Sequence, residues 1–331
     1  MAETNEPVGR LPTFADIEAA AVRLAPVITR TPVLESQSVN DKLGCRLLIK
    51  AECLQRTGSF KLRGAYNKIA QIPAERRARG VVAYSSGNHA QGVARAAKLL
   101  GVPAAIVMPA DAPKVKIDNT ARDGARVVAY ERKNANRVAI SQALVDESGG
   151  TMVPPYNDPD IMAGQGTLGL ELFEQAKTMG ASLDALLGPC SGGGMIGGTA
   201  IAFRALSPKT QVYSVEPAGF DDTAQSLQKG ERVELHTGAS SICDGLLVEA
   251  PGTITFEILK THLAGGLVID DAAVERARRF AFDEFKVVME PSGAISLAAV
   301  LEGQIETRGR TIGIVCTGGN VDAPAFARII G

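Results

Sequence analysis

No apolar run in this chain approaches the ~20 residues that a membrane-spanning helix requires. No excess of one charge sign marks it for nucleic acid or an anionic surface, since 35 Lys and Arg stand against 36 Asp and Glu. Cysteine is scarce: Cys45, Cys53, Cys190, Cys243 and Cys316 are odd in number, scattered, and form no CxxC. That pattern argues against a disulfide framework or a zinc site and fits a reducing cytoplasm. There is no internal repeat, no low-complexity linker and no long acidic run. The start, MAETNEPVGR, is polar and acidic, so neither a signal peptide nor an Arg-rich transit peptide is expected. Glycine, by contrast, is plentiful: 35 of 331 residues, above the ~7% average, gathered in a few loops. The length suits about two domains at ~150 residues each, and 45% hydrophobic residues suffice for an ordinary globular core.

Local signals order the chain. Thr13 and Asp16 form a capping-box start for a helix running towards Leu24, and residues 45–50 read as a short strand. From about 80 to 153 strands and helices alternate: strands at 81–84, 104–108, 126–130 and from 152, helices at about 89–100, 113–123 and 135–147. A second set follows, with strands at 183–187, 211–215 and 311–316 and a helix at 195–206. Alternation with short loops predicts an α/β fold with two open, mostly parallel sheets. Ligands in such folds sit beyond the carboxyl ends of the strands.

Gly192-Gly193-Gly194-Met195-Ile196-Gly197 satisfies GxGxxG between a strand and a helix, and the next strand ends near Glu216. A dinucleotide dehydrogenase is one reading, with Glu216 on the ribose. A second is any other phosphate-bearing cofactor, because small residues bring backbone N–H groups to a phosphate at a helix N-terminus. A third is a tight turn with no ligand. Lys61 follows a Thr-Gly-Ser turn beside Phe60 in an apolar stretch, where partial burial would lower its pKa and free a nucleophilic amine.

These segments resemble one family. Residues 59–65 (SFKLRGA), 85–94 (SSGNHAQGVA), 163–167 (AGQGT), 191–195 (SGGGM) and 317–320 (TGGN), in this order, are similar to fold-type II pyridoxal-phosphate enzymes. More narrowly they resemble the serine/threonine dehydratase, serine racemase and threo-3-hydroxyaspartate dehydratase group, and the likeness covers nearly the whole chain. It implies that Lys61 carries the cofactor as a Schiff base and serves as general base at Cα. Phe60 would pack near the ring and Asn88 would bond the ring 3-oxygen. Ser191, Gly192, Gly193, Gly194 and Met195 would cradle the phosphate; relatives often have glycine where Ser191 stands, which leaves the backbone angle there open. Thr317 would face the pyridine nitrogen with a neutral hydroxyl, suiting elimination over transamination. Gly245 and Glu290 would line the cofactor side of the cleft.

For substrate, the resemblance implies that Ser85, Ser86, Gly87, Asn88 and His89 hold the α-carboxylate, with His89 either supporting the loop or acting as an acid. Ser86 either binds the carboxylate alone or also moves a proton on the face opposite Lys61, which would permit racemisation. Arg137 is either a solvated helix residue or a ligand for a second substrate carboxylate. Glu216, Phe220 and Asp222 match a loop for a divalent cation, Mg²⁺ or else Ca²⁺ or Mn²⁺, against the plainer reading of a solvated acidic turn. The expected architecture is a large discontinuous domain (1–75 and 155–331) and a small mobile domain (76–154). No regulatory domain is expected after residue 331. The expected activity is pyridoxal-phosphate-dependent dehydration and deamination of L-threonine, L-serine or threo-3-hydroxyaspartate by a cytoplasmic homodimer. Serine racemase, a nicotinamide dehydrogenase and an inactive amino-acid-binding relative are the rivals.

Overall fold

The computed structural model describes residues 9–112, 114–131 and 136–331. The polar start up to residue 8, position 113 where the sequence places a helix start, and residues 132–135 ahead of Arg137 lie outside that set. Thr13 does open the first helix: its hydroxyl accepts the Asp16 N–H, and the Asp16 carboxylate accepts the Thr13 N–H at 2.8 Å. In chain order the elements are α1 (Phe14–Leu24), β1 (Val33–Leu34), α2 (Gln37–Leu43), β2 (Arg46–Ala51), α3 (Lys61–Ala70) and α4 (Ala74–Arg77). Then come β3 (Val81–Tyr84), α5 (Asn88–Leu100), β4 (Ala104–Pro109), α6 (Lys114–Arg122), β5 (Arg126–Tyr130), α7 (Arg137–Ser148) and β6 (Thr151–Met152). The remainder runs α8 (Pro159–Thr178), β7 (Ala185–Pro189), α9 (Gly194–Leu206), β8 (Gln211–Pro217), α10 (Asp222–Lys229), α11 (Thr253–His262), β9 (Gly265–Ile269), α12 (Asp271–Phe285), α13 (Pro291–Leu301), β10 (Thr311–Cys316) and α14 (Ala323–Ile330).

Among the described residues the strands form two sheets, ordered β1-β2-β10-β7-β8-β9 and β5-β4-β3-β6. All pairings are parallel except β1 with β2. The expected α/β architecture is therefore present. The strand expected at 183–187 lies two residues later, because Leu183 packs beneath the sheet against Gly313 instead of joining it. The last strand in sequence, β10, sits at the centre of the larger sheet between β2 and β7. Its run Ile312–Cys316 is buried on both faces, as a central parallel strand requires. No helix among the described residues is long and apolar enough to cross a membrane.

Two devices fix α3, the helix that begins at Lys61. The AGQGT segment lies inside α8, and a Cβ on Gly164 would stand 2.7 Å from the Gly64 Cα. The two helices thus meet backbone to backbone. Beneath them is a buried charge quartet. Arg63 of α3 donates bidentately to Glu52 at 2.8 Å through each contact and reaches Glu171 of α8 at 2.9 Å. Lys50 of β2 donates to Glu171, Gln175 and the Thr31 carbonyl, each at 2.8 Å. Two cations face two anions, so the cluster is neutral overall and nearly all of its hydrogen-bonding capacity is used.

Candidate active site

Lys61 lies at the floor of a cleft of about 300 Å³ between the two sheets. Chain geometry puts it there. The segment before it is stitched to the end of β10: Ser59 bridges Gly318, and the Phe60 N–H donates to the Thr317 carbonyl at 3.2 Å. The Lys61 ammonium donates to the Pro155 carbonyl at 2.9 Å and stands 5.1 Å from the Phe60 ring centroid. Burial with no carboxylate partner lowers its pKa from 10.5 to about 8.

Across the cleft, residues 191–195 turn from β7 into α9. Gly193 has φ +90°, a left-handed backbone that a side chain resists, whereas Ser191 does not have a positive φ. The serine that departs from the family pattern therefore costs nothing in backbone strain. A Cβ on Gly192 would fall 2.3 Å from the Tyr156 ring, so the loop is bare of side chains because Tyr156 fills that space. Gly193 gives α9 no side-chain cap. An uncapped helix start with close-approaching glycines suits a phosphate. These features and the desolvated Lys61 amine fit a phosphate-bearing carbonyl cofactor.

The other expected residues line the same cleft: Ser85, Ser86, Gly87, Asn88, His89, Arg137, Gly245, Glu290 and Thr317. Several have partners the sequence did not reveal. The Asn88 amide donates to Glu290 at 2.6 Å, and its carbonyl accepts from Asn320 at 2.8 Å. Asn88 is thus held from both sides, and a ring oxygen would have to share it. Burial, then the nearby Asp244 carboxylate, pushes Glu290 up to about 7. The Thr317 hydroxyl reaches the Ser292 carbonyl at 3.5 Å, and the Gly245 N–H donates to the Ser292 hydroxyl at 3.0 Å. His89 donates from Nε2 to the Val153 carbonyl at 2.9 Å, and burial lowers it to about 3. It is neutral at physiological pH and braces its loop, which leaves little scope for it as an acid. Arg137 opens α7 and lies over the Tyr84 ring, 5.5 Å from the centroid.

Pro155, Tyr156 and Lys116 line the cleft as well, and sequence reasoning missed all three. They sit in no distinctive motif, and only the crossing of the chain brings them in. Asn320 was visible as the end of TGGN, but its bond to Asn88 was not.

Glu216 and Asp222 are fully buried beside each other at the ends of β8 and α10. Glu216 accepts the Thr223 and Ala224 N–H groups at 2.9 and 2.8 Å. It is turned into the protein and unable to hold a ribose, which removes the acidic residue that a dehydrogenase reading requires. Both Asp222 oxygens are buried with no partner among the described residues. Burial raises both carboxyls, and Glu216 raises Asp222 further. Phe220 is buried between them in sequence. Among the described residues no group of three or more His, Cys, Asp or Glu side chains is placed to hold a metal ion, so a cation there would need backbone oxygen or water besides the two carboxylates.

Comparison with known proteins gives consistent results. The family described as pyridoxal-phosphate dependent enzyme matches residues 24–318. The chain is 43% identical over 321 residues to an L-threo-3-hydroxyaspartate ammonia-lyase of Pseudomonas sp, covering 97% of this chain and 99% of that one. Among solved structures, maize serine racemase superposes with a TM-score of 0.91 at 37% identity, covering 96% and 97% of the two chains. The serine racemase of Dictyostelium discoideum superposes with a TM-score of 0.87 at 36% identity, covering 94% and 99%.

Proposed function

Because the chain belongs to the family of pyridoxal-phosphate-dependent enzymes, we propose that it is an ammonia-lyase that dehydrates and deaminates a β-hydroxy amino acid, with L-threo-3-hydroxyaspartate the foremost substrate and L-threonine and L-serine the other candidates. The observation that carries this reading is Lys61: a desolvated amine, lowered to about 8, across one cleft from a bare, uncapped glycine loop.

Lys61 would hold the cofactor covalently, residues 191–195 its phosphate, and Phe60, Asn88, Gly245 and Glu290 its ring, with the Thr317 hydroxyl at the ring nitrogen. When bound, the cofactor supplies an electron sink for the pair released at Cα. The chain's own groups do the rest. Residues 85–89 open α5 and hold the α-carboxylate through backbone N–H groups and the Ser85 and Ser86 hydroxyls. The released Lys61 amine takes the Cα proton, a task suited to a base titrating near 8. Loss of the β-hydroxyl and hydrolysis then give a 2-oxo acid and ammonia. Ser86 lines the same cleft as Lys61, which supports racemisation as a second reading, since a hydroxyl on the face opposite Lys61 would offer a proton there. We assign residues 76–154 to a small mobile domain, residues 1–75 and 155–331 to a large one, and the active species to a cytoplasmic homodimer.

The first test is release of 2-oxo acid by cofactor-loaded protein from L- and D-serine, L-threonine, and L- and D-threo-3-hydroxyaspartate. The expected result is preference for the L-threo hydroxyaspartate, whose second carboxylate calls for a cation in the cleft. Preference for threonine or serine would return Arg137 to the surface, and no oxo acid from any of them would overturn the lyase reading.

A divalent cation, Mg²⁺ with Ca²⁺ or Mn²⁺ as alternatives, is proposed at Glu216, Asp222 and the Phe220 carbonyl. The two adjacent buried carboxylates support it, since hard oxygen ligands suit such ions. Metal-stripped protein should melt several degrees higher once Mg²⁺ is added at ~100 times its Kd, equivalent to about 2.7 kcal/mol. Asp222→Asn should erase the difference. Equal melting with Mg²⁺ and with chelator in the parent would rule the site out.

A further inference from the structure

Lys116 is the cation in the cleft that the proposed chemistry leaves without a task. It stands on α6, beside the smaller sheet, with its side chain only 15% exposed. A Cβ on Gly87 would lie 3.8 Å from its ammonium, so the charge sits at the loop assigned to the α-carboxylate. Its partner is Asp244, from the loop between α10 and α11 on the larger sheet's side, so the ion pair spans the cleft. Asp244 itself is 55% exposed along its side chain. Arg137 approaches from the same wall as Lys116.

A lysine this enclosed needs an anion, and the cleft gives it one that is itself largely in water. An exposed carboxylate loses little on returning to solvent, because it is already largely hydrated. The ammonium would not be left bare if another carboxylate arrived in the same step.

We propose that Lys116 is the specificity-determining residue for a second substrate carboxylate, and that Asp244 is the protein's own stand-in for that carboxylate until substrate displaces it. The inference rests on the lyase reading and deepens it. A β-hydroxy amino acid with a distal carboxylate trades places with Asp244, so the number of paired charges is conserved. Serine and threonine have no such group, leave the pair intact, and gain nothing from Lys116. Arg137, beside Tyr84, adds positive potential on the same wall.

The test compares holoenzymes of the parent, Lys116→Met, Lys116→Arg and Asp244→Asn. One readout is the ratio of kcat/KM for L-threo-3-hydroxyaspartate to that for L-serine. The other is calorimetric binding of succinate, an unreactive dicarboxylate, against butyrate. Lys116→Met should lower the ratio and weaken succinate by about tenfold to a hundredfold, the usual effect of losing a charged hydrogen bond, while butyrate shifts by less than twofold. Lys116→Arg should recover most of the loss, which a merely misfolded Lys116→Met would not predict. Asp244→Asn, lacking the competing carboxylate, should bind succinate several-fold tighter than the parent. Equal losses for succinate and butyrate in Lys116→Met, or weaker succinate binding in Asp244→Asn, would overturn the proposal. If the parent turns over neither of these amino acids nor any other of the panel above, the lyase reading fails, while the succinate titration still decides the role of Lys116.

Discussion

Lys61→Ala should fold, bind no cofactor covalently, and release 2-oxo acid about four orders of magnitude more slowly than the parent, or not at all. Loss of a positioned general base alone costs up to about 10⁴-fold, and the covalent anchor goes with it. Lys116, also in the cleft, does not substitute, because its ammonium is paired with Asp244. Borohydride reduction of cofactor-loaded protein should attach cofactor to the parent and not to the variant. In the parent apo-protein, the rate of that attachment should rise with pH about a midpoint near 8 instead of 10.5, since the neutral amine is the nucleophile. Stability carries the same sign. Lys61 titrates lower in the folded chain than in the unfolded one, so the unfolded chain binds more protons between about pH 8 and 10.5. The group therefore costs stability below that window, and the cost fades as pH rises through it. Apo Lys61→Met should melt above the parent at pH 7 and level with it above pH 10.5. Undiminished turnover in Lys61→Ala would sink the assignment.

Arg63→Met should be the most destabilising single change in the vicinity of the site, at about 3–5 kcal/mol. At ~2–4 °C per kcal/mol, the melting temperature should fall on the order of 10 °C. The reason is not that the ion cluster contributes much by itself, since a well-packed apolar replacement of the whole cluster would be near neutral. Removing Arg63 alone leaves Glu52, which is fully buried, with only Lys50 and Thr31 nearby, and leaves Glu171 facing Lys50. Burial pulls the Glu52 carboxyl upward, but the Arg63 guanidinium, with Lys50 and the Thr31 hydroxyl, outweighs it and holds the carboxyl below its ordinary 4.5. That stabilisation is present above about pH 4.5 and is lost as pH falls, so the parent should lose it on acidification while Arg63→Met shows little of that loss. Because α3 begins at Lys61, cofactor affinity should fall along with stability. A melting temperature within about 2 °C of the parent would show that the quartet is not what holds α3.

The motifs carried a large part of this site into view. SFK, SSGNH, SGGGM and TGGN each lie where strand or loop turns towards the cleft, and their order along the chain is what made the family resemblance specific. Alternation of apolar runs located the strands of the smaller sheet to within a residue or two, because β3, β4 and β5 are joined by short local crossovers that period and punctuation encode. The glycine loop was readable as a phosphate site but not as a site for a particular cofactor: bare backbone at a helix start accepts any phosphate. The AGQGT segment entered only as part of the family resemblance, and in the fold its glycines let α8 touch α3 and α9.

The sequence by itself determined the α/β class and singled out the lysine, the glycine loop and the SSGNH loop, because each is a local pattern in which a few adjacent residues set the backbone together. Tertiary structure alone decided which groups face one another. Placing β10 beside β2 brings Thr317 to Phe60 and Asn320 to Asn88. Turning Glu216 inward sets it against Asp222 and takes it from any ribose. Closing two sheets around one cleft pairs Lys116 with Asp244. Contacts of this kind join residues far apart in the chain, and they follow from how buried surfaces fit together, so no local pattern records them.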